Sequence, residues 1–394
     1  MKRVLSIVLV LALSLSVTFL AACGGQEPAG QPPEAPQPAD TTETAEDPEP
    51  VEERELVTVR IGNAPYPMYQ VFNVASYKGI DHYFGINLEI ISVTSGIAGA
   101  QALYRGDVDI ISNCVAEHLP QTMGAPTITN FTPLGFFKGF FFIGHEGDLE
   151  PWADLYERMG DQARYYRLEE FRGRSFAIIV PRRPLIVDAI NQVGMTDEDV
   201  EFLFFADDAR AALAFQTGEA DFYIGSLPQQ VALLRDDAFI NVGGDAILGP
   251  AGMWFDTMTT TDAFMLEDRE TALRTLAVMF ASINAFYADP WGYSEIAARL
   301  FSDFTNMETP TEEWYEFMTV YDELQTVEMV RDGFFNPDSH LYWRLTVEFY
   351  IDLLVAEGDL APGLCPDEYY GESQRLFFEL LERQDLLDMI NSFR

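Results

Sequence analysis

The sequence predicts a two-lobed α/β body with a helical C-terminal extension. Three observations point to this fold class. Strand and helix patterns alternate over residues 56–224, two stretches of that region share one turn motif, and the chain after residue 241 is mainly amphipathic helix. The roughly 340 residues from residue 56 onwards are enough for two lobes with their own cores.

The leader, residues 1–23, has the pattern of a secretory signal peptide. Two basic residues precede an apolar run over residues 4–20, which is shorter than the about 20 residues that span a bilayer. The run ends in the letters LAACG at residues 20–24, which resemble a bacterial lipobox. This resemblance implies that Cys23 is lipidated and becomes the N-terminus of the mature protein at the cell membrane.

Residues 24–55 predict a disordered tether. They hold seven prolines, ten acidic residues and no lysine or aromatic residue. Such a segment buries too little apolar surface to offset its chain entropy, and its prolines and like charges keep it extended. We expect it to link the lipid anchor to the folded body.

The composition excludes several function classes. A net charge of −39 leaves no basic face for nucleic acid. This acidity is typical of a soluble monomer, and it is either a solvated surface or a means of attracting a cationic ligand. The histidines and cysteines show no metal-ligand spacing, and no catalytic or cofactor motif occurs, so we expect no catalytic residue, metal or cofactor. Outside the leader, Cys114 and Cys365 either pair or stay free.

The first part of the body predicts a parallel sheet. Residues 56–62 alternate apolar and polar side chains as a strand does, and two prolines within 63–67 end it. A helix over 71–84, a strand over 88–93 and a helix over 97–104 follow. Alternating strands and helices indicate parallel strands joined by helical crossovers.

An internal repeat indicates a second, similar half. Residues 102–109 (ALYRGDVD) and 214–221 (AFQTGEAD) share alanine, a large apolar residue, glycine and aspartate at the same positions. Each stretch ends a helix at the glycine and leads into an apolar strand that exits in small polar residues. Chance and common turn chemistry are the alternative explanation; two similar α/β lobes are the preferred one.

The remaining elements follow from the same patterns. Strands are expected over 175–180, 201–205 and 222–224, and helices over 184–193, 207–216, 268–287, 312–330, 340–357 and 371–393. The aromatic run 136–142 is expected to be a buried strand near the crossover between the lobes.

The order of these features resembles the periplasmic binding proteins of nitrate, sulfonate and taurine ABC importers, a family that also includes binders of pyrimidine precursors. The resemblance covers roughly residues 56–360. It rests on Ile61-Gly62, Pro65, the run at 102–109, LEEFRGR at 168–174, the repeat before Gly225-Ser226, Thr259-Thr260-Thr261-Asp262 and Asp289-Pro290. It implies a type II periplasmic-binding-protein fold and capture of a small molecule for an ABC permease.

The resemblance also implies where the lobes and the ligand lie. Residues 56–145 plus 245–394 form one lobe and residues 146–244 the other. The carboxyl ends of the strands face one cleft, where ligands of open α/β sheets bind. The candidate wall of lobe one is Asn63, Pro65, Tyr66, Ser95, Gly96, Ile97, Ser112, Asn113 and Trp254, and that of lobe two is Arg182, Arg183, Gly225 and Ser226.

These candidates leave two ligand classes open. Ser95 and Gly96 begin a helix whose free N–H groups can hold a carboxylate or sulfonate, although Ser95 can also be a plain N-cap. Arg182 and Arg183 replace the small residues that the family carries in this turn, and they either grip an anion or point to solvent. Tyr66 and Trp254 instead favour an aromatic heterocycle.

Three functions compete. A solute-binding lipoprotein that delivers its ligand to an ABC importer is the leading hypothesis, and a lipoprotein that senses its ligand for a membrane receptor is the alternative. Relatives of the fold that make a pyrimidine from their own histidine resemble a histidine- and cysteine-rich motif that this chain lacks.

Overall fold

The computed structural model describes residues 56–122, 127–252 and 254–394. The predicted signal peptide, the lipidation of Cys23 and the tether over 24–55 lie outside these residues. No helix in the described ranges is long and apolar enough to cross a membrane.

The strands of the described chain form two sheets. In chain order they are β1 (Val57–Asn63), β2 (Ile86–Ser92), β3 (Ile110–Cys114), β4 (Ile128–Phe137), β5 (Phe141–His145), β6 (Ser175–Ile178), β7 (Glu201–Phe204), β8 (Phe222–Tyr223), β9 (Phe239–Gly244), β10 (Trp254–Thr261) and β11 (Asp322–Leu324). The first sheet has the order β11-β4-β10-β3-β1-β2 and the second the order β7-β6-β8-β5-β9. Each sheet is the centre of one lobe, so the predicted two-lobed α/β class is confirmed.

Helices cover both sheets and make up the C-terminal region. They are α1 (Val71–Tyr77), α2 (Ile80–Tyr83), α3 (Gly96–Arg105), α4 (Val115–Thr122), α5 (Trp152–Met159), α6 (Gln162–Glu170), α7 (Arg183–Asn191), α8 (Asp208–Gln216), α9 (Leu227–Leu234), α10 (Asp245–Leu248), α11 (Asp262–Glu267), α12 (Arg269–Ala288), α13 (Pro290–Thr305), α14 (Thr311–Glu316), α15 (Val327–Met329), α16 (Trp343–Ala356), α17 (Pro366–Glu382) and α18 (Gln384–Asn391). Wide π-helical turns occur at Phe317–Tyr321 and Val330–Phe334.

The internal repeat is the same turn in both lobes. Gly106 ends α3 and Gly218 follows α8, both in the left-handed region at φ 74° and φ 79°. The aspartate that closes each copy then ties the turn to the first parallel strand of its own lobe. Asp109 accepts a hydrogen bond from the backbone N–H of Arg60 at 2.8 Å, and Asp221 accepts one from Ser175 at 2.8 Å.

The parallel pairing predicted for the first strands of the body is confirmed, but each sheet as a whole is mixed. β1 pairs in parallel with β2 and β3, but β10 is antiparallel to both β3 and β4. The second sheet repeats this plan, because β6 is parallel to β7 and β8 while β5 is antiparallel to β8 and β9. The strands that carry the chain between the lobes, β4, β5, β9 and β10, all pair in the antiparallel direction.

Two crossovers join the lobes. The chain leaves the first sheet after β4 and enters the second at β5, so the boundary expected at residue 145 is corrected to the crossover 138–140. It returns between β9 and β10. Phe136, Phe137, Phe140 and Phe142 are buried here, which confirms the burial expected for the aromatic run. Cys114 is buried, Cys365 is half-buried, and neither is in a disulfide.

Candidate ligand-binding site

A small cavity lies where the carboxyl ends of β1, β3 and β6 face one another. We call it the inner cavity; its volume is about 30 Å³, which is room for about two water molecules. Its walls come from both lobes and from the returning strand β10. The lining residues are Tyr66, Pro67, Met68, Tyr69, Cys114, Glu117, Phe137, Arg182, Ser226, Leu227, Trp254, Asp256 and Asp322.

A wider space lies outside the inner cavity. This outer cleft has a volume of about 300 Å³ and is lined by Pro65, Tyr66, Ser92, Val93, Thr94, Asp207, Asp208, Ala209, Ser226, Gln229, Phe304, Thr305 and Met307. Tyr66 and Ser226 line both spaces and therefore separate them. The Tyr66 hydroxyl donates to Asp208 Oδ2 at 2.9 Å, and this hydrogen bond joins the two lobes.

Arg182 is the cation of the inner cavity. The strand β6 ends at Ile178, and the tight turn that follows carries Arg182 inward, where it is 4% exposed. Its guanidinium carbon lies 4.3 Å from the ring centroid of Trp254 and 4.8 Å from that of Phe140. Among the described residues, neither Nε nor Nη1 of Arg182 has a hydrogen-bond partner. A buried guanidinium with free N–H groups is expensive unless something else accepts from it.

Three carboxylates share the cavity wall with Arg182. Glu117 comes from α4, Asp256 from β10 and Asp322 from β11. Burial raises the pKa of Glu117 to about 7, although Arg182 lowers it. Burial likewise raises the pKa of Asp256 to about 7, against the hydrogen bond from Tyr69. The pKa of Asp322 also lies well above its usual range, because of burial and the nearby Asp256.

The arginine and the carboxylates are coupled. Burial lowers the pKa of Arg182, but the charges of Asp208 and Glu117 outweigh this effect and raise it. Burial raises the pKa of Asp208 even though Arg182 opposes it. The site is therefore a buried group of charges in which one guanidinium faces several carboxyl groups. The raised pKa values of these carboxyl groups mean that they bind protons more readily than exposed ones do.

Five predicted site residues lie at these two spaces. Arg182 and Trp254 line the inner cavity, Pro65 lines the outer cleft, and Tyr66 and Ser226 line both. Trp254 is the residue on which Arg182 stacks, so its aromatic face is shared with the protein's own cation.

Four other predicted residues lie buried behind the cavity wall. Asn63 donates to Asn73 Oδ1 at 3.0 Å, and the Ser112 hydroxyl accepts from the backbone N–H of Ala64 at 3.1 Å. Asn113 accepts from the Cys114 N–H at 2.8 Å. A Cβ at Gly225 would lie 2.6 Å from Asp208 Oδ1, so this glycine leaves room for that carboxylate. These residues position the wall rather than line the cavity.

The helix start at Ser95 and Gly96 is already occupied by a carboxylate. The Ser95 hydroxyl accepts from the backbone N–H of Ala98 at 3.2 Å, which is the N-cap role. A Cβ on Gly96 would overlap the carboxylate of Glu117. The protein thus places its own acidic side chain where the sequence suggested a ligand anion.

Two predicted residues lie away from the inner cavity. Arg183 points to the other side of its turn, where its guanidinium pairs with Asp197 at 2.6 Å, Glu357 at 3.2 Å and Asp359 at 3.5 Å. Ile97 is 39% exposed and lines a separate surface depression. Their expected places in the wall are therefore corrected.

The carboxylates were missed from sequence. Asp256 follows Trp254 and Phe255, and Glu117 is the single acid of α4; a lone acid beside apolar residues is a signal of a buried charge. Asp322 stands next to Glu323, so its sequence gives no such signal. Asp208 sits among ordinary acidic residues at a helix start, where sequence gives no such signal. Tyr69, which donates to Asp256 Oδ1 at 2.6 Å, completes the group.

The chain has the fold of periplasmic binding proteins. The periplasmic aliphatic sulphonate binding protein SsuA from Escherichia coli matches with a TM-score of 0.58 and 12% identity, over 79% of this chain and 91% of that one. The periplasmic nitrate-binding protein NrtA from Synechocystis PCC 6803 matches with a TM-score of 0.59 and 12% identity, over 85% and 91%.

A third solved structure is the ligand binding component of an ABC-type import system from Staphylococcus aureus, with zinc bound. It matches with a TM-score of 0.58 and 11% identity, over 82% of this chain and 99% of that one. No family model matches the chain. No curated protein matches it either.

Proposed function

We propose that this protein is an extracytoplasmic solute-binding protein that encloses a small molecule between its lobes and delivers it to an ABC importer. The observation that carries the proposal is the inner cavity, whose buried polar groups come from both lobes. Arg182 and Ser226 belong to the second lobe, and Tyr66 and Glu117 to the first. A ligand that contacts both walls stabilises the closed arrangement through its additional contacts there.

The unpaired buried atoms support a binding role. Arg182 Nε and Nη1, Asp208 Oδ1 and Asp322 Oδ2 have no hydrogen-bond partner within the described part of the chain. Buried polar atoms are normally paired, so three such atoms at the inner cavity and one at the adjoining outer cleft indicate a missing partner. The solved structures that share the fold are named for sulphonate binding, nitrate binding and ABC import.

A binding protein fits the cavity better than an enzyme. Cys114 lines the cavity with a thiol, a side chain that serves as a nucleophile in many enzymes. Burial raises its pKa well above the ordinary thiol range, and Glu117 and Asp256 raise it further. The thiol therefore stays protonated and unreactive.

The proposal extends to the parts of the chain outside the described residues. In this proposal Cys23 carries the lipid, residues 24–55 tether the body to the membrane, and the body works as a monomer with a permease. Cys23→Ser should release the protein from the membrane fraction or leave its signal uncleaved. Unchanged fractionation and migration of Cys23→Ser would contradict the anchor.

The binding function is tested by identifying what the protein carries. We expect a small molecule to co-purify with the body from residue 56, detected by mass spectrometry of the denatured protein. Arg182→Ala should lose that molecule, because the cost of losing a buried hydrogen bond to a charged group is about 1.5–3 kcal/mol, roughly tenfold to hundredfold in affinity. Retention of the same molecule by Arg182→Ala would show that the inner cavity is not the binding site.

A further inference from the structure

The inner cavity has a deficit of positive charge. Glu117, Asp256 and Asp322 line it, and Asp208 reaches its edge through the hydrogen bond with Tyr66. All four carboxyl groups belong to residues that are more than nine-tenths buried. Arg182 is the single basic residue among the lining residues, so a fully ionised cavity would be strongly negative and costly to bury.

Two of these carboxylates have an oxygen without a donor. Asp208 uses Oδ2 for the Tyr66 hydroxyl, and Asp256 uses Oδ1 for the Tyr69 hydroxyl. By contrast, no described residue donates to Asp208 Oδ1 or Asp322 Oδ2, and both atoms are buried. Burial raises the pKa of both carboxyl groups, so a proton occupies such an oxygen when no ligand is bound. An N–H donor of a ligand can replace that proton, and the protein itself supplies no such donor.

The presence of Arg182 alone does not require the ligand to be an anion. Its charge is already compensated by Asp208 and Glu117, and its guanidinium is held between the rings of Phe140 and Trp254. What its free Nε and Nη1 need is a hydrogen-bond acceptor, which a neutral carbonyl or ring nitrogen provides as well as an anion does.

We propose that the inner cavity, joined to the outer cleft when the Tyr66–Asp208 hydrogen bond opens, binds a small organic cation, an amine or amidine that also carries a hydrogen-bond acceptor. Asp322 and its neighbouring carboxylates accept from the cationic nitrogen, and Arg182 donates to the acceptor. This inference rests on the proposed solute-binding function. It also distinguishes this protein from the sulphonate- and nitrate-binding proteins that share its fold.

An organic cation fits better than a metal ion. Within residues 56–122, 127–252 and 254–394, no group of three or more His, Cys, Asp or Glu side chains is arranged to hold a metal. The carboxylates surround the space from different elements, and Tyr66 and Tyr69 add aromatic rings to its wall beside the Trp254 ring that Arg182 covers. This arrangement suits a molecule with an apolar body and a charged nitrogen.

The charge of the ligand sets the direction of proton exchange. At pH 7 Glu117 and Asp256 are close to half-protonated, because burial raises the pKa of each to about 7. A bound cation favours their ionised forms and releases protons, whereas a bound anion takes protons up. The titratable groups that line this space are Tyr66, Tyr69, Cys114, Glu117, Arg182, Asp256 and Asp322. Asp208, Tyr223 and Tyr350 lie outside the lining and interact electrostatically with Arg182.

The test uses two probes of matched shape. Benzamidine and benzoate carry a cationic amidinium and an anionic carboxylate on the same ring, and nitrate is a small anion for comparison. Benzamidine offers no acceptor to Arg182, so these probes test the charge of the ligand alone. Calorimetric titration at pH 7, in two buffers with different ionisation enthalpies, gives both affinity and proton exchange. We expect benzamidine to bind at least tenfold more tightly than benzoate or nitrate, and to release protons.

Variants connect the binding to the cavity. Asp322→Asn should weaken benzamidine at least tenfold, and Asp256→Asn is a second variant should Asp322→Asn fold poorly. Asp188→Asn is the matched control, because Asp188 is a half-buried carboxyl with a raised pKa on α7, outside the cavity lining. It should leave benzamidine binding unchanged.

The outcomes separate the ligand class from the function. Tighter binding of benzoate or nitrate with proton uptake overturns the cation assignment and leaves solute binding standing. The cation assignment is also overturned, and solute binding also stands, if no probe binds and a molecule without a basic nitrogen co-purifies. Benzamidine binding that Asp322→Asn and Asp256→Asn both leave intact overturns the cation site. Failure of all probes with no co-purifying molecule overturns the solute-binding function too.

Discussion

At the scale of single residues, the site is built by side chains that hold other side chains in place. Gly96 has no Cβ, so Glu117 and Asn113 lie directly against the start of α3. Gly225 makes the same kind of room for Asp208 in the other lobe. Both glycines thus make room for a buried carboxylate. The sequence predicted that they contact the ligand and did not reveal this packing role.

The first prediction concerns Gly96. Gly96→Ala should destabilise the protein by about 1–3 kcal/mol, because the added methyl group overlaps the Glu117 carboxylate and lies 2.5 Å from Asn113 Oδ1. Thermal melting measures the change. Gly99→Ala is the control one turn later on α3, where the nearest side-chain atom, of Ile111, is 3.4 Å from the added carbon. Equal melting temperatures for the two variants would contradict the close approach of Glu117.

The second prediction is a pH dependence at Glu117. Its pKa of about 7 in the folded protein is above its ordinary value of 4.5, so the folded state binds the extra proton between these values. Glu117 therefore contributes stability below pH 4.5 that is lost as the pH rises towards 7. Glu117→Gln removes this loss. The free energy of unfolding of the variant should therefore rise relative to that of wild type between pH 5 and pH 8, by up to about 3 kcal/mol.

Melting curves of both proteins across that range measure the difference. His118 acts in the opposite direction in both proteins, because burial lowers its pKa to about 3 and protonation below its ordinary 6.5 opposes folding. The comparison of variant with wild type removes this shared effect. A constant difference in melting temperature from pH 5 to pH 8 would show that Glu117 keeps an ordinary pKa.

At the scale of elements, the sequence predicted the local pieces better than their pairing. β1, β2, α3, α7 and α8 begin and end within two residues of their predicted bounds, because each carries a clear period and a capping or turn residue. β10 was missed, since its sequence WFDTMTTT lies within the region after residue 241 that was predicted to be mainly helical. Yet β10 lies between β3 and β4 in the first sheet and contributes Trp254 and Asp256 to the site.

The C-terminal region shows why amphipathic spacing alone is insufficient. The predicted helix over 312–330 is instead α14, a π-helical turn, the strand β11 and the start of α15. Three residues of β11 pair with β4, and this tertiary pairing overrides the helical spacing. The predicted helix over 371–393 is likewise two helices, α17 and α18. The edge strand β11 brings Asp322 to the cavity, so this error also hid a site residue.

The third prediction concerns the two arginines of one turn. Arg183→Gln should weaken binding of the co-purified ligand by about fivefold at most, since it removes partly exposed ion pairs with Glu357 and Asp359 rather than a ligand contact. Arg182→Gln, the neighbouring matched change, should weaken it tenfold or more. Calorimetric titration compares them. A larger loss of affinity for Arg183→Gln than for Arg182→Gln would show that Arg183 contacts the ligand.

At the scale of the whole molecule, the lobes are held together on several sides of the cleft. Tyr66 bonds Asp208 across its centre, and Arg183 pairs with Glu357 and Asp359 next to α16. Arg235 of α9 pairs with Glu313 of α14. The lobes are also joined by Arg182 stacked on Trp254 and by Phe141 against Tyr321. The crossovers are covalent, and the first is packed with buried phenylalanines. The lobes are therefore expected to separate by opening at these contacts while the crossovers act as the hinge.

The last prediction tests this closure. Tyr66 separates the inner cavity from the outer cleft, so a ligand can enter only after the Tyr66–Asp208 hydrogen bond opens. Tyr66→Phe removes that bond and keeps the ring, which should shift the ligand-free protein towards the open form by about 1 kcal/mol, roughly fivefold in population. Small-angle scattering should give a larger radius of gyration for ligand-free Tyr66→Phe than for wild type, and compaction of both on binding the co-purified ligand. Tyr69→Phe is the control, because Tyr69 bonds Asp256 within the first lobe and not across the cleft. If wild type and Tyr66→Phe both keep one radius of gyration with and without ligand, the lobes do not move and the ligand must enter by another route.

If only the Tyr66→Phe variant becomes more compact on binding, the wild-type protein is already closed without ligand. The wild type should then bind the ligand with a slower association rate than Tyr66→Phe, because its closed fraction must open first.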